Sequence, residues 1–329
     1  MILIITNGED ISALHVMEWI NWSKGQFEVM KGDYTLRNTP FSYLLNNEET
    51  TINLKNKPLN KVKPNVVFYR RWKSKPYYAG NHSFDPIADN ELNTDIARHI
   101  ENEQLYSDCG FVALLEDAHW LGNFGFRKSE DKIKVLICAR QLGISIPPTL
   151  VTTQKSELSQ FHKEQGTLIT KGIHNVTIFS HQDTRYMMYT QEINKTDIEK
   201  LPDLFYPSLF QKQIKKELEL RIFYLEPEFY AMAIFSQAND QTAVDFRHYD
   251  YSKPNRKVPF RLPDKLKKKL KKLMEKLSLN TGSIDMILTT EGKFVFLEVN
   301  PIGQFGMTSF PCNYNLEKKI AEYLMKHDV

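Results

Sequence analysis

Long apolar runs are missing from this chain of 329 residues. No stretch approaches the roughly 20 residues that a membrane-spanning helix needs. The opening "MILIITNGED" has an apolar run of only five residues and no basic leader, so the expected location is the cytoplasm. Cysteine is equally scarce. Cys109, Cys138 and Cys312 show neither CxxC spacing nor an even count, which reads as reduced thiols and excludes a disulfide framework. Charge of one sign is nearly balanced, at a formal net +3, so a wholesale nucleic-acid coat is excluded and only a local basic patch is left open. There is no internal repeat, and apart from one lysine run no low-complexity segment. What remains is an ordinary globular composition, 41% hydrophobic and 25% charged, in a chain long enough for two or three packed units.

The first part reads as a small open α/β unit. "MILIIT" is a buried strand ending at a turn, followed by a helix around Ala13–Trp22. "NVVFYRRW" is a second strand between prolines. A long helical pattern runs from about Asp89 to Glu116, with an interruption expected near Cys109-Gly110. "HWLGNFGFRKSED" reads as a loop and a boundary. Beyond it, Ser129 is placed to cap a helix carrying Ile133, Leu136 and Ile137 and ending at Gly143. "ISIPPTLVT" runs extended, because paired prolines forbid a helix. "TLITKGI", "RYMMYTQEI", "SLFQKQI", "ELELRIFYL" and "FYAMAIFS" follow as strands. A helix over "PDKLKKKLKKLMEKLSL" leads to two strands, "SIDMILT" and "KFVFLEVN", joined at Thr290-Glu291-Gly292, and a last helix covers about Asn315–Met325.

The lysine run invites a nucleic-acid reading, which its spacing argues against. Leu266, Leu270, Leu273 and Leu277 recur at four, three and four residues and form one apolar stripe. The lysines then solvate the other face of a surface helix, with attraction of an acidic peptide as the sharper alternative.

The stretch "FLEVNPIGQFG" carries a carboxylate inside an apolar strand. Burying that charge unpaired would cost several kcal/mol, on the order of a small domain's whole stability. Residues symmetric about Glu291-Gly292 face each other in an antiparallel pair, so Asp285 is expected opposite roughly position 298. Glu298 and Asn300 are two apart and share a side of their strand. Three oxygen donors thus converge, a set that suits Mg2+ held together with substrate phosphates. Glu298 alone would fit a structural carboxyl beside a turn. The trio favours a metal.

An Asp on one strand and "E-x-N-P-x-G" on the next resembles the metal-binding end of the ATP-grasp ligases. "ExNPxGQ" followed by an aromatic is similar to the peptide-modifying branch that makes graspetides, including the microviridin ligases and the grasp-with-spasm peptide maturases. "VVFYRRW", "HWLGN", "DKIKVLICARQLGISIPPTLVT", "FQKQIKKELELRIF" and "VDFR" occur in the order of that branch, over nearly the whole chain. The resemblance implies an α/β fold of α+β lobes. A small pre-ATP-grasp domain would span 1–122, a central lobe 123–205 and a C-terminal lobe with the metal site 206–329. It implies ATP lysines at Lys132 and Lys171, and a hinge over Gln211, Lys212, Gln213 and Ile214 whose backbone reads adenine. Glu219 would hold the ribose, and Arg221 and Arg247 would neutralise phosphate or the reacting carboxylate. Asp285, Glu298 and Asn300 would carry two Mg2+. Arg221 inside an apolar strand demands an anion on its own account. Arg70, at the end of its strand, is the weaker candidate for substrate recognition. His174 and Asn175 read as loop residues.

Two features depart from that pattern. Lys212 stands in the hinge where an acidic residue is common. The segment "KGIHNVTIFSHQD" offers a single glycine, Gly172, in place of a glycine-rich phosphate loop.

The function implied is ATP-dependent closure of side-chain ester or amide cross-links in a ribosomally made precursor peptide, through an acyl phosphate. Its leader would be held by the enzyme and its core would be rich in Ser, Thr, Lys, Asp and Glu. A homodimer acting without nucleic acid or membrane is expected. The rival enzyme is an ATP-grasp ligase adding an amino acid to a peptide or protein terminus. The rival of another class is a non-catalytic nucleotide- and peptide-binding module.

Overall fold

The computed structural model describes residues 1–8, 10–32, 41–47, 50–54, 57–58, 63–71, 90–122, 131–173, 178–181, 184–187, 190–238 and 252–329. The chain divides into two compact units. The first takes residues 1–125, 304–306 and 315–329, and the second takes 126–303 and 307–314.

The first unit contains β1 (Ile2–Thr6), α1 (Ile11–Trp22), β2 (Phe27–Lys31), β3 (Phe41–Leu45), β4 (Thr50–Leu54), β5 (Lys57–Pro58), β6 (Val66–Tyr69), α2 (Asn90–Ala113) and β7 (His119–Leu121). Its main sheet has the order β2-β1-β6-β7, with every pairing parallel. All five residues of β1 and all four of β6 are buried, as the unbroken apolar runs require of strands covered on both faces. β3, β4 and β5 make a separate antiparallel sheet.

Two expectations are corrected here. "HWL" is an edge strand instead of loop, its first residue tied down where the His119 amide donates to the Asn65 carbonyl at 2.7 Å. The long helix runs unbroken through Cys109 and Gly110. Gly110 is there for room: an added Cβ would lie 2.6 Å from the Tyr43 hydroxyl.

The second unit contains α3 (Lys132–Gln141), β8 (Thr149–Gln154), α4 (Lys155–Gln165), β9 (Leu168–Lys171), β10 (Ile178–His181), β11 (Thr184–Met187), β12 (Gln191–Ile193), α5 (Lys195–Lys200), β13 (Leu204–Lys212), β14 (Lys216–Leu225), β15 (Glu228–Phe235), β16 (Arg256–Phe260), α6 (Asp264–Lys276), β17 (Thr281–Thr289) and β18 (Phe294–Asn300). α7 (Gly306–Cys312) and α8 (Leu316–His327) complete the chain. One antiparallel sheet has the order β12-β9-β13-β8, and another the order β16-β15-β14-β17-β18. Asp131 caps α3 by accepting from the amides of Ile133 and Lys134; Ser129, expected in that role, lies outside the described residues. "RYMMYTQEI" gives two strands in different sheets instead of one run.

α6 bears out the leucine stripe. Leu266, Leu270, Leu273 and Met274 are buried, while Lys265, Lys268 and Lys272 are exposed. All three cysteines are free. Cys109 is exposed, and burial pushes the Cys312 thiol up to about 11. Among the described residues, no helix is long and apolar enough to cross a membrane.

Candidate active site

One face of the five-stranded sheet gathers the polar side chains. Alternation puts Glu219 and Arg221 on the same side of β14, and Ser283 and Asp285 on the same side of β17. The register sets Arg221 opposite Asp285, and Asp285 opposite Glu298. This second pairing depends on an irregularity. Near the turn Leu288 faces Phe294 and Met286 faces Phe296, so a regular ladder would bring Leu297 opposite Asp285. Leu297 is bulged out instead, and Glu298 swings onto the face that holds Asp285. Bulges re-aim side chains in this way beside functional sites. The Phe296 amide is anchored by the Ser145 carbonyl at 2.8 Å, next to the bulge.

The three expected donors meet. Asn300 Nδ2 lies 3.4 Å from Asp285 Oδ2 and 3.5 Å from Glu298 Oε1. Among the described residues, no group of three His, Cys, Asp or Glu forms a metal cluster. The site is two carboxylates and an amide that now turns its Nδ2 to them; with the amide rotated to present Oδ1 it is an all-oxygen set whose remaining positions suit water or phosphate, as Mg2+ prefers.

Cations surround this set. Arg221 Nη1 donates to Asp285 Oδ1 at 2.7 Å and to Oδ2 at 2.6 Å. Lys132, in the first turn of α3, and Lys171, at the end of β9, approach Glu298 Oε2 at 3.9 and 4.0 Å. Their side chains are 16% and 14% exposed, so neither is an ordinary surface lysine. Lys132 Nζ also donates to the Gly172 carbonyl at 3.3 Å. Among the described residues, three cations therefore face two carboxylates, a positive balance. Arg221 Nε is buried with no hydrogen-bond partner among the described residues. A buried donor left unsatisfied is costly, and a site with such a donor and a positive balance fits an anionic ligand carrying its own divalent ion.

The other expected residues stand as follows. Gln211 is buried, and its Nε2 donates to Thr149 Oγ1 at 3.0 Å, while its Oε1 has no partner among the described residues. The Lys212 amide donates to the Pro148 carbonyl and the Gln213 amide to the Thr167 carbonyl, after which Gln213 to Lys215 leave the sheet. Ile214 is half-buried in that stretch. Glu219 Oε1 accepts from Lys216 Nζ at 2.6 Å and from Ser236 Oγ at 2.7 Å. Arg70, in the first unit, is 4% exposed; its Nε donates to Asp10 Oδ2 at 3.1 Å, and its guanidinium lies over the Phe305 ring. Arg247, His174 and Asn175 lie outside the described residues.

Sequence reasoning missed Lys216, Ser236 and Ser283. Ser283 had a readable signal, since it precedes Asp285 by two and shares its face. Lys216 reaches Glu219 from three residues earlier in β14, across a register irregularity, and Ser236 reaches it from the turn after β15, placements that no local pattern announces.

This arrangement can be compared with known proteins. A scan of protein-family models finds no match to the chain, and neither does a search of curated proteins. Solved structures do match, over the full length. A RiPP-associated ATP-grasp ligase from Chryseobacterium gregarium, in complex with ADP and a leader and core peptide, is 25% identical, covers 99% of this chain and 96% of that one, and superposes with a TM-score of 0.81. The macrocyclase MdnC from Microcystis aeruginosa MRC, bound with precursor peptide MdnA, is 27% identical over 99% of both chains, again with a TM-score of 0.81.

The chain is an ATP-grasp ligase by fold.

The ATP-grasp ligase PsnB, complexed with minimal precursor, Mg and ADP, supports the same fold at 15% identity and a TM-score of 0.78, covering 100% of this chain and 97% of that one. Within the second unit, the contact of Lys171 with Glu298 links the sheet of β9 to the five-stranded sheet, and the contact of Lys132 links α3 to the same carboxylate.

Proposed function

We propose that this ligase uses ATP and Mg2+ to close ester or amide cross-links between side chains of a ribosomally made precursor peptide. The observation that carries the reading is the convergence of Asp285, Glu298 and Asn300 with Lys132, Lys171 and Arg221 on one face of the sheet. The full-length likeness to two ligases captured with precursor or leader and core peptides supports peptide as the substrate class.

A carboxylate is a poor electrophile because its negative charge repels the nucleophile and an oxide is a poor leaving group. Attack of an Asp or Glu side-chain oxygen of the peptide on the γ-phosphorus of ATP releases ADP and leaves an acyl phosphate. A Ser or Thr hydroxyl, or a Lys amine, of the same peptide then attacks the acyl carbon. Phosphate departs, the nucleophile's proton passes to solvent, and the net loss from the peptide is one water. Magnesium, when bound, supplies charge neutralisation and a clamp on the transferring phosphoryl group.

The chain's own residues do the rest by placement. Asp285, Glu298 and Asn300 hold the metal, as two ions in our reading. Lys132 and Lys171 exchange the Glu298 carboxylate for phosphate oxygens. Arg221, with its unsatisfied Nε, turns toward the reacting carboxylate or phosphate, and Arg247 assists. Preorganised cations of this kind lower the barrier where charge develops. Backbone groups of Gln211 to Ile214 read adenine, and Glu219 holds the ribose while Lys216 and Ser236 fix its orientation. A substrate contact by Arg70 would require its guanidinium to change partner from Asp10.

In this reading the chain acts in the cytoplasm as a homodimer, on a peptide with a bound leader and a core rich in Ser, Thr, Lys, Asp and Glu. It uses neither nucleic acid nor membrane, and its parts are a pre-ATP-grasp domain over 1–122, a central lobe over 123–205 and a C-terminal lobe over 206–329. The test is incubation with ATP, Mg2+ and the precursor encoded beside this gene, read by mass spectrometry. Loss of one water per ring is expected. A gain in mass would mean terminal addition of an amino acid, and an unchanged mass with folded protein would overturn the reading.

A further inference from the structure

The chain turns sharply after Asn300, and the turn lies on Ser283. The Gly303 amide donates to the Asn300 carbonyl at 3.0 Å, closing a four-residue turn over Asn300, Pro301, Ile302 and Gly303. A Cβ added at Gly303 would lie 2.3 Å from both the Cβ and the Oγ of Ser283, and 3.1 Å from the Asn300 carbonyl oxygen. Gly303 is not among the glycines with positive φ. Its backbone is therefore open to any residue, and what the position requires is space. Ser283 itself is fully buried, pairs with Asn300 in the β17–β18 register, and has no hydrogen-bond partner for its Oγ among the described residues. That hydroxyl gains nothing from its surroundings to offset its burial, so the small size of the side chain is what the site uses.

We propose that Gly303 and Ser283 are positioning residues for the metal donors. The bare Cα of Gly303 lets the turn press its backbone onto Ser283, and this contact holds the end of β18 so that the Asn300 side chain meets Asp285 and Glu298. The contact is between rigid parts. The Cβ of Ser283 is fixed to the fully paired strand β17, between β14 and β18, so it cannot yield. An alanine at 303 displaces the turn instead, and Asn300 moves with it. The inference rests on the reading of Asp285, Glu298 and Asn300 as metal ligands.

The experiment titrates Mg2+ into the full-length protein at fixed ADP and follows ADP binding by calorimetry, with thermal unfolding recorded beside it. Gly303→Ala is expected to need about tenfold more Mg2+ for half-maximal ADP uptake, as groups that orient metal ligands typically require, with ADP binding in EDTA unchanged. Ser283→Gly added to Gly303→Ala removes both contacts and restores the parental Mg2+ dependence. Ser283→Ala added to Gly303→Ala keeps the Cβ contact and does not. Parental Mg2+ dependence in Gly303→Ala overturns the inference, as does equal recovery in the two double variants. If Gly303→Ala does not fold, the Ser283→Gly double variant decides, since folded protein that still needs excess Mg2+ also overturns it. Absence of Mg2+ dependence in the parent itself would instead defeat the metal reading on which all this stands.

Discussion

Arg221 and Asp285 face each other on neighbouring strands, and one guanidinium nitrogen reaches both carboxylate oxygens, at 2.7 and 2.6 Å. The side chains are 10% and 14% exposed, so water does little to share the charge. Under the proposed function the pair is a resting arrangement, from which Asp285 would turn to a metal and Arg221 to an anion.

Removing the arginine should expose that dependence. Arg221→Met takes the guanidinium away from a nearly buried carboxylate, a change that costs about 3–5 kcal/mol in comparable buried pairs. Urea unfolding should show a loss of that order in EDTA, partly recovered when Mg2+ is added. A loss that Mg2+ does not reduce would argue against a metal at Asp285.

Turnover of ATP separates the roles of Glu298 and the two lysines. Glu298→Ala should abolish Mg2+-dependent turnover, and Lys132→Met and Lys171→Met should each lower kcat by about a hundredfold, the scale of losing one preorganised donor. Folding should persist in all three, since the lysine contacts at 3.9 and 4.0 Å are long. Turnover in Glu298→Ala equal to the parent would remove the metal role.

The lysine-rich helix makes a prediction about stability alone. Leu270 is fully buried in α6, and Leu270→Ala should cost about 2–5 kcal/mol by creating a cavity. Lys268→Ala, on the exposed face, should leave the unfolding midpoint and peptide turnover unchanged. A drop in turnover with intact stability would revive the acidic-peptide alternative.

A pH effect belongs to the first unit. His119 stacks on His327 with ring centroids 4.1 Å apart, and its Nε2 lies 2.9 Å from the Tyr323 hydroxyl. Burial, and then the neighbouring His327, hold the His119 pKa below its ordinary 6.5. The folded protein thus binds this proton less readily than the unfolded chain. Stability contributed by neutral His119 is present above about pH 6.5 and is lost as the pH falls from there through the lowered folded value. Thermal unfolding of His119→Gln should show a flatter pH dependence in that window than the parent. An unchanged slope would show that the pair does not titrate with folding.

Much of the site could be read from residue order, and the reasons are physical. The pairing of Asp285 with Glu298 follows from a short hairpin turn, and Glu298 and Asn300 share a face because strands alternate. The bulge at Leu297 could not be read, although it is what delivers the expected pairing. The symmetric count about Glu291-Gly292 matches the ladder only beyond the bulge, because the turn itself is one position tighter. Lys132 and Lys171 look like surface lysines in the sequence, and only tertiary packing brings both within about 4 Å of one carboxylate. The fold was legible where runs were strongly patterned, as in β1 and α6. It was missed where tertiary packing overrode local signals. Gly110 suggested a helix break, yet it only makes room for Tyr43, and "HWL" is a strand because β6 offers it a free edge.

The central claim is that Asp285, Glu298 and Asn300 hold a divalent ion that grips a nucleoside triphosphate. It is tested most directly by calorimetric titration of a non-hydrolysable ATP analogue, with Mg2+ and with EDTA, into the parent and into Asp285→Asn/Glu298→Gln. Uptake that requires Mg2+ in the parent and disappears in the folded double variant is the predicted result. Uptake indifferent to Mg2+, or equal in the two proteins, would contradict it.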